Sequence, residues 1–304
     1  MDDNTPAVRW SPAVAAIRRD RAIVALESSV LAQGLPEPAN RDAEQRMCAA
    51  VRAHGAEPAV LAMVRGVATA GLAGEDLERF LRRDGVRKVS ARDLGWAAAR
   101  GLDGATTVAA SLALSTAAGI DVFATGGIGG VHREPAFDES ADLIELSRSP
   151  VITVCAGAKS ILDLAATLER LESYGVPVIG FGTDEFPGFF TRHTGLRVSA
   201  STDDVRDIAR AFRAHRAMGQ RSALLVVQPP PASSALDAAV VDAAVVRALE
   251  AARAADVSGA AVTPFLLAAV ERETQGASLH ANLALLEANA GLAARIAVAV
   301  REAG

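Results

Sequence analysis

The sequence predicts an α/β protein of three layers, α/β/α, with a mostly parallel central sheet and a helical C-terminal section. Three observations carry this expectation. Seven short apolar runs recur along the first three quarters of the chain, most of them continuous Val, Ile, Leu and Ala rather than alternating. Continuous runs suit strands covered on both faces. Helical patterns separate the runs, and from about residue 235 to 303 only helical patterns remain.

In order, the strand candidates are residues 22–26, 59–64, 86–90, 121–125, 151–155, 177–181 and 222–227. The helix candidates between them are residues 40–54, 74–83, 92–101, 106–118, 160–174 and 203–218. Asn40 is read as an N-cap and Gly175 as a C-terminal stop. The tail is expected to form three helices, broken at Gly259 and Gly276. With no internal repeat or low-complexity linker, residues 1–304 are expected to form a single catalytic domain, with 1–20 as an N-terminal extension that Trp10 pins to the core. A TIM barrel competes, but the long all-helical tail and uneven strand spacing disfavour it.

Composition narrows the function. The 304 residues are half hydrophobic, and the net charge of −5 comes without a basic cluster, so no nucleic-acid or anionic-membrane partner is expected. Cys48 and Cys155 lie in apolar contexts without metal-ligand spacing, which fits buried thiols in a reducing compartment. Neither a signal peptide nor a membrane span is expected, which points to the cytoplasm. Of the 31 basic residues only two are lysines, Lys88 and Lys159; the rest are arginines. Where arginine serves every ordinary surface charge, a surviving lysine suggests chemistry a guanidinium cannot do, because only an ammonium readily loses its proton to become a nucleophile.

Ligands of parallel α/β sheets bind past the carboxyl ends of strands, so residues just after each apolar run are the site candidates. Glu27 ends the first run; partial desolvation there would raise its pKa and suit it to acid–base work. Lys88 lies within the third, on the face opposite Arg87, and an ammonium at a strand end suits a phosphate. The stretch G-A-T-T-V opens a helix with a threonine as cap, and the free N–H groups of a helix start form an anion site. The glycine-rich stretch T-G-G-I-G-G-V-H-R lets backbone approach a ligand and leads into His132. It is neither a Walker A loop nor a dinucleotide fingerprint. In F-D-E-S-A-D, one hard carboxylate with neighbouring oxygens suits Mg²⁺ or Mn²⁺ completed by water and substrate; an acidic helix start is the plainer alternative. Finally, C-A-G-A-K-S runs off a buried strand, placing Lys159 near the start of a helix, where the dipole disfavours an ammonium and favours Schiff-base chemistry.

Taken together, these stretches resemble the pseudouridine-5′-phosphate glycosidase, or indigoidine-synthase-A-like, family. The resemblance rests on A-L-E-S, V-R-K-V-S-A-R-D-L, G-A-T-T-V-A, F-A-T-G-G-I-G-G-V-H-R, F-D-E-S-A-D-L, C-A-G-A-K-S-I-L-D-L, G-V-P-V-I-G-F, T-P-F-L-L and S-L-H-A-N-L-A-L-L-E-A-N-A, from about residue 20 to the C-terminus. It implies an α/β/α homotrimer that hydrolyses the C–C bond of pseudouridine 5′-phosphate reversibly, with Mn²⁺ (or Mg²⁺) assistance. It further implies Lys159 as nucleophile at C1′, Glu27 as the acid that protonates the uracil carbon, and Asp138 as metal ligand. Lys88, Thr107, Val108, His132, Ser140 and Asp142 match substrate contacts, and Asn282 matches a reader of the base.

Two departures from the family pattern bear on base choice: Gln228-Pro229 where Asn-Pro is expected, and His193 after Arg192 in place of a small hydroxyl residue. Three alternatives stand beside this reading. They are a C-glycoside synthase joining a uracil-like base to ribose 5-phosphate in secondary metabolism, an aldolase-type lyase, and a non-catalytic phosphosugar-binding protein.

Overall fold

The computed structural model describes residues 7–134, 138–257 and 262–303. The expected break at Gly259 and the Phe137 of the F-D-E-S motif lie outside the described residues. In chain order the elements begin with β1 (Arg9–Trp10), α1 (Pro12–Ile17), β2 (Ile23–Glu27), α2 (Ala39–Ala53), β3 (Glu57–Val64), β4 (Val67–Ala70) and α3 (Gly74–Leu81). They continue through β5 (Arg87–Val89), α4 (Leu94–Ala99), β6 (Gly104–Thr106), α5 (Val108–Ala118), β7 (Val122–Ala124), β8 (Val131–His132), α6 (Ala141–Leu146) and β9 (Ile152–Cys155). Then come β10 (Leu162–Asp163), α7 (Leu164–Ser173), β11 (Val178–Phe181), β12 (Ala200–Thr202), α8 (Val205–Ala217) and β13 (Leu224–Val227). The C-terminal section is α9 (Ala238–Ala254), α10 (Val262–Glu273) and α11 (Ala277–Glu302).

An 11-stranded sheet runs β1-β4-β3-β2-β7-β9-β13-β11-β12, with β6 and β5 branching from β3. It is parallel except where β4 and β6 meet β3, as the continuous apolar runs require: all eight residues of β3 and all four of β9 and β13 are buried. From β2 the chain first builds outward through β3, then returns to lay β7, β9 and β13 on the other side. The order therefore reverses between β2 and β7, which opens a crevice at their carboxyl ends.

Two local expectations need correction. Asn40 does not cap α2. Its buried carboxamide donates to Leu31 O (3.0 Å) and Leu81 O (2.9 Å), tying the segment after β2 to the end of α3. The helix expected from residue 160 begins at Leu164, capped by Asp163 Oδ1, which accepts from Ala166 N; residues 162–163 pair instead with β8. Gly175 does stop α7, at φ +65°, and Trp10 does join the extension to the core, pairing beside β4 with Arg18 stacked on its ring at 4.9 Å.

Both cysteines are buried, and burial pushes the Cys155 thiol up to about 12. By length and apolar composition α11 could cross a membrane, but most of its apolar stretch is buried inside the protein. It packs along α2 and across β7, β9 and β2, and so forms one wall of the core.

Candidate functional site

Glu27 is the last residue of β2 and is 5% exposed. Its Oε1 accepts from the hydroxyl of Thr125, just past β7, at 2.7 Å, and its Oε2 from Ser29 at 2.9 Å. The carboxyl therefore sits in the crevice where the strand order reverses. Burial raises its pKa; Lys159 and the two hydroxyls oppose the shift without cancelling it. A carboxyl whose pKa is raised by burial is better suited to give up and take back a proton.

The chain's two lysines meet here. Lys88, from β5, and Lys159, from the segment after β9, line the same cleft as Glu27. Lys88 is open to solvent at the mouth, yet crowding by protein atoms and then the charge of Lys159 lower its pKa. Lys159 does not sit at a helix start, as its sequence position suggested, because α7 begins five residues later. Its backbone N–H donates to Ile128 O (3.1 Å), fastening it to the glycine-rich stretch, and Lys88 supplies the second positive charge.

That stretch, residues 126–130, packs against the protein's own side chains as well as the cleft. A Cβ at Gly129 would come within 2.2 Å of Ser140 Oγ, and one at Gly127 within 2.6 Å of the Phe189 ring. Asp142, 6% exposed, explains the crowding: Oδ1 accepts from Ala109 N (2.9 Å) and Oδ2 from Gly129 N (2.8 Å). Of the two threonines, Thr107 is the one that caps α5, with Oγ1 accepting from Ala110 N at 3.3 Å. The protein's own oxygens thus take the second and third N–H groups of α5, and an anion at this helix start would meet Val108 N–H first.

His132 lies on β8, its side chain 13% exposed, and lines the cleft. Asp138 stands one step outside the wall, with its Oδ2 4.0 Å from His132 Nδ1 and its C=O accepting from His132 N at 2.9 Å. Among the described residues no group of three or more His, Cys, Asp and Glu gathers at a point. The donor set fits a hard cation held by one carboxylate and completed by water and substrate oxygens, not a closed cage.

The larger, more polar end, lined by Lys88, Ser90, Arg92, Thr107, Ser140 and Asp142, encloses about 330 Å³. Beyond Glu27 and Lys159 a smaller apolar end of about 60 Å³ is lined by Gly126, Phe189, Pro264, Leu267, Gln33 and Asn282. All the singled-out residues except Asp138 line one end or the other.

Several wall residues were not singled out from sequence. Ser29 lines the cleft and, with the buried Thr125 behind the wall, holds Glu27; Thr125 sits inside a quoted motif, and its partner became identifiable only once β2 and β7 lay side by side. Gln33 belongs to a single π-helical turn, Val30–Gly34, which no sequence pattern announced. The two departures lie elsewhere. Gln228 Nε2 donates to Asn289 Oδ1 at 2.9 Å, and His193 sits in an exposed loop beside Glu185. Neither lines the cleft.

The family model described as indigoidine synthase A like protein matches residues 13–299. A pseudouridine-5′-phosphate glycosidase from Gemmatimonas aurantiaca is 67% identical over 94% of this chain and 94% of its own length. One from Herpetosiphon aurantiacus is 52% identical over 94% and 95%. Among solved structures, the prealnumycin C-glycosynthase AlnA in complex with ribulose 5-phosphate superposes with a TM-score of 0.89 at 37% identity, covering 97% of each chain. An indigoidine synthase A-like protein from Thermotoga maritima superposes at 0.88 and 36% identity, over 96% of this chain and 95% of its own.

Proposed function

The chain belongs to the indigoidine synthase A-like family, and on that premise we propose that it cleaves the C–C glycosidic bond of pseudouridine 5′-phosphate, releasing uracil and ribose 5-phosphate through a lysine imine. The observation that carries the reading is the convergence of the only two lysines with a buried glutamate, its pKa raised by that burial, on one cleft. An ordinary two-carboxylate glycosidase protonates a leaving oxygen, and a C-glycoside has none. An imine supplies the missing electron sink.

In the proposed sequence the neutral Lys159 amine bonds through Nζ to C1′ as the C1′–O4′ bond breaks, and the proton the nitrogen sheds passes to O4′. The nitrogen lone pair then closes to C=N while the C1′–C5 bond breaks, and Glu27 delivers its proton to C5 so that uracil leaves neutral. Water adds to the imine, freeing ribose 5-phosphate and the amine. Lys88, Val108 N–H and Ser140 are placed for the phosphate, Asp142 holds the donors in position, and His132 borders the sugar. Asn282 reads the base. Asp138 would hold Mn²⁺ or Mg²⁺, which would supply charge neutralisation next to the sugar phosphate.

Purified protein incubated with pseudouridine 5′-phosphate and Mn²⁺ should release uracil, and Lys159→Ala should not. Borohydride added during turnover should fix ribose 5-phosphate on the native chain by mass. A native protein that releases no uracil would overturn the reading. The likeness to a C-glycosynthase supports a second direction at the same site, checked by supplying uracil and ribose 5-phosphate and looking for the C-nucleotide. We further propose a cytoplasmic homotrimer, which light scattering on the purified protein would check.

A further inference from the structure

Gln33 stands where the catalytic cleft ends, and none of the chemistry above uses it. Its Oε1 is buried and has no hydrogen-bond partner among the described residues. A buried acceptor left unpaired is costly, and where such a group faces a cleft the ligand is the natural donor. Gln33 also lines two cavities at once. One is the apolar end of the catalytic cleft; the other is a neighbouring cavity of about 270 Å³ bounded by Arg83, Phe190, Ala268 and Leu279. Gln33 and Asn282 belong to both linings, with Gly34, Pro264 and Leu267, and so form the partition between them.

We propose that Gln33 determines which aglycone the enzyme accepts: its carboxamide oxygen takes a ring N–H of the departing base, and its bulk keeps larger bases out of the neighbouring cavity. This rests on the glycosidase reading and names a residue for its selectivity. Pseudouridine presents two ring N–H groups, N1–H and N3–H, so an acceptor at this point suits that base.

The test uses pseudouridine 5′-phosphate and its N1-methyl and N3-methyl derivatives with the native protein, Gln33→Leu and Gln33→Ala. The native protein should cleave one methylated substrate at least ~100-fold less efficiently in kcat/KM than the parent, because a site built to pair an N–H rejects an analogue lacking it. Leucine keeps the bulk and removes the acceptor, so Gln33→Leu should narrow that gap to within ~10-fold. Gln33→Ala should in addition cleave an N-butyl substrate that the native protein and Gln33→Leu refuse. Parent cleavage by the native protein with the methyl discrimination unchanged in Gln33→Leu would overturn this proposal and leave the glycosidase reading standing. No uracil from the parent substrate would overturn both.

Discussion

The hydroxyl of Thr125 donates to Glu27 Oε1 at 2.7 Å, bridging two strand ends that lie 98 positions apart in the chain. This bond opposes the effect of burial on Glu27. In Thr125→Val the carboxyl should hold its proton to still higher pH. Because the acid form is the working form, the native rate falls as pH rises through the Glu27 pKa, and the variant's basic limb should move upward. The pH profile of kcat/KM for uracil release checks this; an unmoved limb would remove Glu27 as the proton donor.

Glu27 also makes stability depend on pH. A carboxyl whose folded pKa lies above its unfolded value binds more protons when folded, so its contribution is fully present below the unfolded value and is lost as pH rises through the folded one. Glu27→Gln removes the ionisation. Its Tm should match the native protein in acid and exceed it once pH has risen through the folded Glu27 pKa, with melting curves across pH as the check.

The two lysines separate charge from nucleophilicity. Lys88→Arg keeps a cation at the cleft mouth and should raise KM by less than about 10-fold. Lys159→Arg keeps the charge but cannot form an imine, and turnover should fall by roughly 10⁴-fold or more. Steady-state uracil release distinguishes them.

Asp142→Ala would strand two buried backbone donors, Ala109 N–H and Gly129 N–H. The expected cost is about 2–6 kcal/mol, at roughly 1–3 kcal/mol for each unpaired buried group. Urea denaturation measures the loss, and KM should rise as the glycine-rich stretch and the start of α5 part.

Gln228 and His193, which line neither end of the cleft, should not govern base choice. Gln228→Asn should cost about 1 kcal/mol or less through its bond to Asn289, and His193→Ser should cost less still. Relative kcat/KM for the parent and methylated substrates should stay within about 2-fold in both variants.

Much of this was legible in the sequence for physical reasons. Doubly covered strands must be apolar throughout, so β3, β9 and β13 stood out, and strand ends in a parallel sheet collect ligand contacts, so Glu27, Lys88 and Lys159 did too. What escaped depends on who meets whom. The pairing of Thr125 with Glu27 needs the side-by-side placement of β2 and β7, which local pattern does not encode. The true start of α7 was hidden because residues 162–163 form a two-residue strand with β8 whose partner lies 30 positions away. Gln33 was invisible because a π-helical turn has no period of its own to read.

Helix α11 carries Asn282 at the apolar end of the cleft. Two turns on, about 10 Å along the same face, it carries Asn289, whose carboxamide donates to Thr125 O at 2.8 Å and Gly126 O at 3.2 Å. One helix thus braces the crevice twice: it walls the apolar end, and it pins the backbone from which the Thr125 hydroxyl reaches Glu27.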